Sequence, residues 1–290
     1  MQEWQAELAF DVRADLGEGP VWDGEQERLI WVDIMAGRIR AYRPGAGEVG
    51  SWEMGEPVGA AVLRKRGGFL AAAQSGFWTV DEATGAKVKV AEYAGACAKI
   101  RMNDGKADAQ GRFWAGTMAF DMRPGAGALY RMSGGSVETM VEGVTISNGL
   151  DWTPDGRGMY YVDTMTGRVD LFDFDGETGR ISRRRPFVTI EEGVGYPDGM
   201  TVDAAGNVWL ALWGGWSVRC YSPAGELLGV VKVAASQTSS CAFGGKDLDE
   251  LYITSARGGL SEEALSKEPS AGSLFVAKVG GKGRPCWRAD

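Results

Sequence analysis

Short segments in which apolar and polar residues alternate recur along the whole chain. Val208, Leu210 and Leu212 form one such segment, and Val169 and Leu171 belong to another. A period of two places alternate side chains on one face of a strand, whereas a helix requires a period near 3.6. Turns containing glycine separate these segments, and the chain has 44 glycines for such positions. The pattern predicts an all-β protein of short antiparallel strands.

The strand pattern itself repeats six times. The segment MNDGKADAQGRFWAGTM, beginning at Met102, is echoed by SNGLDWTPDGRGMYYVDTM from Ser147 and PDGMTVDAAGNVWLALW from Pro197, with three weaker copies elsewhere. Equivalent positions, 41 to 50 residues apart, are Glu18, Gly59, Asn103, Asn148, Asp198 and Ser240. This spacing is typical of propeller blades. We therefore predict a six-bladed β-propeller with four antiparallel strands per blade, as a single domain over residues 1–290.

Composition excludes several functional classes. The chain contains no histidine, so it cannot form a Ser-His-Asp triad, a Cys-His dyad or an imidazole metal site. The formal net charge of −8 argues against nucleic-acid binding, which usually requires a clustered basic surface. The basic run Arg183–Arg185 is typical of a solvated turn or strand edge.

Targeting and redox signals are also weak. The N-terminal segment lacks the basic and apolar regions of an export signal, and no apolar run is long enough to span a bilayer. The four cysteines show no CxxC spacing, which favours reduced thiols. We expect a cytoplasmic protein, either a monomer or a weak homo-oligomer, with a small-molecule partner and neither nucleic acid nor membrane as partner.

Several of the equivalent positions carry oxygen donors. The first strand of each propeller blade lines the central channel, so Glu18, Asn103, Asn148 and Asp198 should converge there despite their separation in sequence. Two carboxylates and two amides form a hard, oxygen-rich site suited to a divalent cation. Asn-Gly and Asp-Gly pairs are also strong turn signals, so these residues have a purely structural alternative.

Five motifs in order resemble a known family. They are GEGPVW from Gly17, RMNDGKADAQGRFWAGTM from Arg101, SNGLDW from Ser147, YPDGM from Tyr196 and TSARGGLSEEAL from Thr254. Together they are similar to the senescence marker protein, gluconolactonase and luciferin-regenerating enzyme family, which includes regucalcin and bacterial sugar lactonases. The resemblance runs from Gly17 to about Leu265.

The resemblance implies roles for individual residues. Its metal ligands correspond to Glu18, Asn148 and Asp198, and its substrate-binding Arg and Asn correspond to Arg101 and Asn103. A further acidic substrate contact corresponds to Asp121, where some relatives carry Glu. The shorter Asp121 side chain changes the expected sugar contact, and an exposed loop acid is the alternative.

The implied activity is metal-dependent hydrolysis of a small lactone, in particular a sugar (aldono-) lactone. The metal, which could be calcium, manganese, magnesium or zinc, would act as a Lewis acid on the lactone carbonyl. Asp198 would act as general base, with metal-bound water as an alternative nucleophile. Arg101 and Asn103 would orient the sugar. Trp213 and Trp216 could wall the pocket or pack between blades.

Three other functions compete with this hypothesis. A calcium-binding or regulatory propeller would use the same oxygen donors without turnover. An esterase or organophosphate hydrolase would use the same site on other substrates. An interaction scaffold is the third possibility, although acids gathered on the channel axis argue against it. The non-repeating segment Gly258–Ala271 should form a short helix or excursion near the functional face.

Overall fold

The computed structural model describes residues 1–290 and contains 25 β-strands with almost no helix. In the first three blades the strands are β3 (Gly17–Asp23), β4 (Arg28–Asp33), β5 (Arg38–Arg43), β6 (Gly47–Glu53), β7 (Val58–Leu63), β8 (Phe69–Ala73), β9 (Gly76–Val80), β10 (Lys87–Ala91), β11 (Ile100–Ala107), β12 (Phe113–Ala119), β13 (Gly127–Ser133) and β14 (Ser136–Val144).

The other three blades complete the ring. Their strands are β15 (Ser147–Trp152), β16 (Gly158–Asp163), β17 (Arg168–Asp175), β18 (Arg180–Thr189), β19 (Tyr196–Val202), β20 (Val208–Trp213), β21 (Ser217–Tyr221), β22 (Leu227–Lys232), β23 (Thr238–Gly244), β24 (Glu250–Ser255) and β25 (Leu274–Lys278), with β1 (Gln2–Gln5) and β2 (Glu7–Phe10) from the N-terminus. Thr164–Thr166 forms a 3₁₀ turn, and α1 covers Glu262–Lys267.

Six antiparallel sheets follow the repeat, which confirms the six-bladed propeller. The inner strands β3, β7, β11, β15, β19 and β23 contact one another in sequence, and β23 returns to β3 to close the ring. The last blade takes its fourth strand from the N-terminus, because β2 pairs antiparallel with β25. Strand β1 pairs in parallel with β22 and extends the fifth blade to five strands.

The repeated Asp-turn-aromatic motif has a direct structural basis. Asp108 accepts hydrogen bonds from the backbone of Arg112 and from Trp114 Nε1 at 2.9 Å, so one carboxylate closes the turn and anchors the next strand. Asp203 binds Trp209 Nε1 in the same way at 3.0 Å. Both carboxylates are buried. In these two blades, the buried carboxylate supplies the acceptors that close the turn and hold the tryptophan.

The ladder between the first two strands is interrupted in every blade. Each inner strand carries a bulge near its start. Asn103, Asn148 and Asp198 lie within these bulges, and Glu18 immediately precedes one. A β-bulge redirects side chains from the regular alternation. The bulges thus place the polar side chains at the mouth of the channel.

The glycines after Asn148 and Asp198 are not turn residues, because both lie within strands. A Cβ added to Gly149 would lie 2.5 Å from the carbonyl oxygen of Asp198, and one at Gly199 would lie 2.1 Å from Ser240 Oγ. Neighbouring inner strands therefore approach too closely for a larger residue. The turn interpretation of these Asn-Gly and Asp-Gly pairs is wrong.

The C-terminal segment after β25 crosses the opposite end of the channel. Arg284 binds Asp151 at 3.1 Å and the carbonyl of Val202 at 3.2 Å, while Cys286 Sγ donates to the carbonyl of Trp22. Further along, the backbone of Ala289 pairs with the second blade. These contacts tie together blades that are distant in the chain.

The structure also shows where the basic run, the cysteines and the non-repeating excursion lie. The basic run Arg183–Arg185 lies exposed on the outermost strand of the fourth blade, where Arg184 pairs with Asp170 at 2.6 Å, so the strand-edge prediction is confirmed. All four cysteines are free thiols. The six-residue helix α1 lies within the Gly258–Ala271 excursion, as predicted. No helical segment has the length and hydropathy of a membrane span.

Candidate functional site

A cavity of about 590 Å³ opens at the end of the channel where the inner strands begin. Its polar lining comes from four blades and consists of Glu18, Arg101, Asn103, Asn148, Thr164 and Asp198, with exposed Asp15 as a further acid. The structure therefore brings together five of the six site residues predicted from the sequence. We call Glu18, Arg101, Asn103, Asn148, Thr164 and Asp198 the polar floor.

Glu18 and Asp198 are buried carboxylates on this floor. The backbone N–H of Gly19 donates to Glu18 Oε2 at 2.7 Å. Burial and the charges of Asp198 and Asp104 raise the pKa of Glu18 well above its ordinary value. Burial and the charge of Asp104 likewise raise the pKa of Asp198. These shifts favour the protonated form of both acids, and a cation bound beside them would oppose the shifts.

Asn148 presents a buried oxygen to the same region. Its amide Nδ2 donates to Thr164 Oγ1 at 2.9 Å, and Thr164 Oγ1 in turn donates to the carbonyl of Pro197 at 2.9 Å. Asn148 Oδ1 has no hydrogen-bond partner in the protein. A buried amide oxygen without a donor is costly, so this atom is available to a cation or a water molecule in the cavity. Thr164 was not predicted, because the repeat was used to compare inner-strand positions only and Thr164 follows β16.

These residues fit a divalent cation. Glu18 and Asp198 supply negative charge, and Asn148 Oδ1 supplies a neutral oxygen, which are the ligand types that hard cations prefer. No cluster of three acidic, cysteine or histidine side chains exists that could hold a metal alone. The amide oxygen of Asn148 is therefore needed to complete a three-residue protein ligand set.

Arg101 and Asn103 form one hydrogen-bonded unit beside the acids. Arg101 Nη1 donates to Asn103 Oδ1 at 2.6 Å, and Asn103 Nδ2 donates to the carbonyl of Ser147 at 2.8 Å. Burial lowers the pKa of Arg101 to about 10, although the charges of Glu18 and Asp198 oppose that shift. The guanidinium therefore stays positively charged at neutral pH.

Asp104 does not line the cavity and was not predicted as a site residue. It is buried, and it accepts a hydrogen bond from the backbone of Gly105 at 2.6 Å. Burial raises its pKa to about 6, with Lys106 acting in the opposite direction. Its charge acts on both Glu18 and Asp198. The only signal in the sequence was its place directly after Asn103, and the structure shows that both residues lie within the bulge of β11.

Asp121 is placed differently from the other predicted residues. It is exposed, its Oδ1 accepts a hydrogen bond from the backbone of Arg123 at 3.2 Å, and it does not line the cavity. Its neighbours Phe120 and Met122 do line the cavity. A substrate contact by Asp121 remains a prediction.

Apolar side chains form much of the remaining wall. Trp213 lines the cavity, whereas Trp216 is exposed and lies outside it. Gly258 and Gly259, where the predicted excursion begins, also line the cavity. Met118 and Tyr196 reach the wall from strands β12 and β19, and the rest of the apolar lining comes from residues between strands.

The geometry defines a class of protein: a six-bladed propeller with an oxygen-donor site at one mouth of its channel. The SMP-30/Gluconolactonase/LRE-like region matches residues 16–257, and the chain belongs to this family. This membership confirms the resemblance found in the sequence motifs.

Individual relatives cover nearly the whole chain. Regucalcin of Danio rerio is 39% identical over 290 residues and covers 98% of both chains. The structure of a regucalcin from Agrobacterium tumefaciens, described as a calcium-binding protein, has a TM-score of 0.95 and 28% identity over 100% of this chain and 98% of that one. A luciferin-regenerating enzyme has a TM-score of 0.89 and 31% identity, covering 98% and 99% of the two chains.

Family membership supports a lactonase-type function on a propeller, and the calcium-binding relative favours a divalent metal. The polar floor is consistent with both, because it combines buried acids with a buried oxygen that has no partner.

Proposed function

We propose that this protein hydrolyses a small lactone in a metal-dependent reaction, with a sugar (aldono-) lactone as the first candidate substrate. The observation that carries the proposal is the arrangement of two buried carboxylates and the unpartnered Asn148 Oδ1 on the floor of an open cavity. Such a floor suits a cation, and the cavity admits a small molecule.

Glu18, Asn148 and Asp198 would hold the cation, which could be calcium, manganese, magnesium or zinc. When bound, the cation supplies Lewis-acid polarisation of the lactone carbonyl. Thr164 keeps the Asn148 amide in place, so its oxygen faces the cavity. The three side chains lie on inner strands, within or beside a bulge, rather than on loops, which reduces reorganisation during the reaction.

Asp198 is the proposed general base. Its carboxylate would accept a proton from the attacking water while the water oxygen bonds to the carbonyl carbon. The ring C–O bond then breaks, and the departing ring oxygen takes up a proton to become a hydroxyl. The product is the open hydroxy acid, so no oxidant or second substrate is required.

Arg101 and Asn103 would position the ring. Their mutual hydrogen bond fixes the guanidinium against the floor, where a rigid fork of donors can read ring or hydroxyl oxygens. The retained charge of Arg101 also offsets the negative charge of Glu18 and Asp198.

A panel assay tests this proposal. Chelator-treated protein would be assayed with aldonolactones, simple lactones, linear esters and an organophosphate after each cation is added back separately. We expect cation-dependent opening of lactones. Cation binding without hydrolysis of any lactone would instead support a calcium-binding or regulatory function, which the Agrobacterium tumefaciens relative suggests. Faster hydrolysis of linear esters or the organophosphate would favour the esterase alternative.

A further inference from the structure

Exposed apolar side chains are concentrated at the mouth of the cavity. Of the twelve large apolar residues that are substantially exposed, five line this cavity. We call these five the apolar rim: Met35, Phe120, Met122, Met165 and Tyr196. Exposed apolar residues that gather at one site mark a binding surface, whereas scattered ones need no explanation.

The rim is held by short connections from four blades. Met35 follows β4, Phe120 and Met122 follow β12, Met165 lies in the 3₁₀ turn after β16, and Tyr196 begins β19. The N–H of Met122 donates to the carbonyl of Ala119 at 2.9 Å, and Met122 adopts a φ of 53°. A left-handed conformation is uncommon for a residue other than glycine, so this tight turn presents the side chain in a defined position.

The cavity is larger and its mouth is more apolar than a bare lactone ring needs. Its volume of about 590 Å³ lies within the range of about 300–1,000 Å³ for pockets that enclose drug-sized ligands. Asp15 is the only exposed charged residue that lines it, since Glu18, Arg101 and Asp198 are buried on the floor. Tyr196 is the only rim residue with a hydrogen-bonding group. The rim therefore favours neutral apolar surface over additional hydroxyls.

We propose that the substrate is a lactone whose ring carries a neutral apolar substituent, with the ring on the polar floor and the substituent against the apolar rim. This inference rests on the proposed lactonase function and refines its substrate. Methionine suits such a surface because its unbranched, polarisable side chain adapts to different apolar shapes. Hydroxyls on the ring would still meet Arg101 and Asn103.

The first test is a series of δ-lactones with alkyl substituents from none to about eight carbons. Burial of one methylene is worth about 0.8 kcal/mol, so kcat/KM should rise roughly two- to fourfold per methylene until the chain outgrows the rim. Met122→Ser and Met165→Ser should each reduce the ratio of kcat/KM between the longest-chain and unsubstituted lactones by about fivefold or more. Leu228→Ser removes an equally apolar exposed side chain outside the cavity and should keep the wild-type ratio.

A binding test separates this inference from the proposed activity. The matching δ-lactams resist hydrolysis, and their binding can be followed by calorimetry or by intrinsic tryptophan fluorescence, to which Trp213 in the cavity wall contributes. If no lactone is hydrolysed but lactam affinity rises with chain length and falls in Met122→Ser, the proposed lactonase function fails and the apolar subsite stands. If rate and affinity are independent of chain length, or if Leu228→Ser lowers the ratio as much as the rim variants, the inference is overturned.

Discussion

Asn148 donates from its amide nitrogen to Thr164 Oγ1 at 2.9 Å, and this contact assigns the opposite atom of the amide, Oδ1, to the cavity. The hydroxyl of Thr164 is held in turn by the carbonyl of Pro197 in the next blade. A single hydroxyl therefore orients a candidate metal ligand from the fourth blade and connects it to the strand that carries Asp198.

This relationship predicts the effect of a nearly isosteric substitution. Thr164→Val removes the hydroxyl, leaves the Asn148 amide without its acceptor and should weaken cation affinity about ten- to a hundredfold, as loss of a partner to a metal ligand typically does. Thr164→Ser retains the hydroxyl and serves as the control. Isothermal titration with Mn²⁺ or Ca²⁺ measures the difference. Wild-type affinity in Thr164→Val would refute the orienting role.

Asp198→Asn separates charge from shape. The amide keeps the size and one oxygen donor but removes the negative charge and the proton acceptor, so kcat should fall by about 10²- to 10⁴-fold while some cation still binds. Asp247→Asn, which alters an exposed acid outside the cavity, is the matched control. Lactone hydrolysis and bound metal should be measured on the same samples. Near-normal turnover in Asp198→Asn would exclude it as the base.

Arg101→Ala tests how the substrate is positioned. Loss of a charged hydrogen bond costs about 1.5–3 kcal/mol, so kcat/KM for a hydroxylated lactone should fall roughly ten- to a hundredfold, and much less for an unsubstituted lactone. Arg101→Lys keeps the charge without the planar fork and should recover only part of the loss. Because Arg101 also lowers the pKa of Glu18 and Asp198, the assays require saturating cation. Equal losses on both substrates would contradict the assignment.

Stability of the metal-free protein should depend on pH in a defined direction. Glu18 and Asp198 have raised pKa values in the fold, above their ordinary 4.5 and 3.8, so the folded state binds these protons more tightly than the unfolded chain. Stability should fall as pH rises from about those ordinary values through the raised ones. A cation replaces the protons and should therefore raise Tm more at pH 8 than at pH 5.

Thermal unfolding with and without cation measures this dependence. The double variant Glu18→Gln, Asp198→Asn should show a flatter pH profile and little stabilisation by cation. A cation-induced change in Tm that is the same at both pH values would show that these two acids are not the ligands.

The internal repeat explains why much of the site could be predicted. A period shared by six blades places Glu18, Asn148 and Asp198 at equivalent positions, and equivalent inner-strand positions converge on one channel. The register of individual bulges was less predictable: the pairing assigns Ser239, rather than Ser240, to the position equivalent to Asn148. A shift of one residue within a bulge changes the spacing between repeat copies by only one residue. The repeat spacing therefore could not reveal this shift.

Features away from the aligned inner-strand positions could not be predicted from the repeat. Thr164 lies in the 3₁₀ turn after β16, and the apolar rim lies in connections or at strand ends. The pairing of β2 with β25 joins residues that are more than 260 positions apart, and no local pattern identifies such a partner. Asp121 illustrates the limit of motif transfer, because its neighbours line the cavity while its own side chain is exposed.

The central claim is that one cation on Glu18, Asn148 and Asp198 makes this propeller a lactonase. Metal-free protein should be titrated with Mn²⁺. In the same samples, bound metal is measured by electron paramagnetic resonance, and the rate of lactone hydrolysis is measured by assay. We expect the rate to rise in proportion to occupancy, to saturate at about one cation per chain and to be lost in Glu18→Gln. Full activity in the metal-free protein, or occupancy without any gain in rate, would contradict the claim.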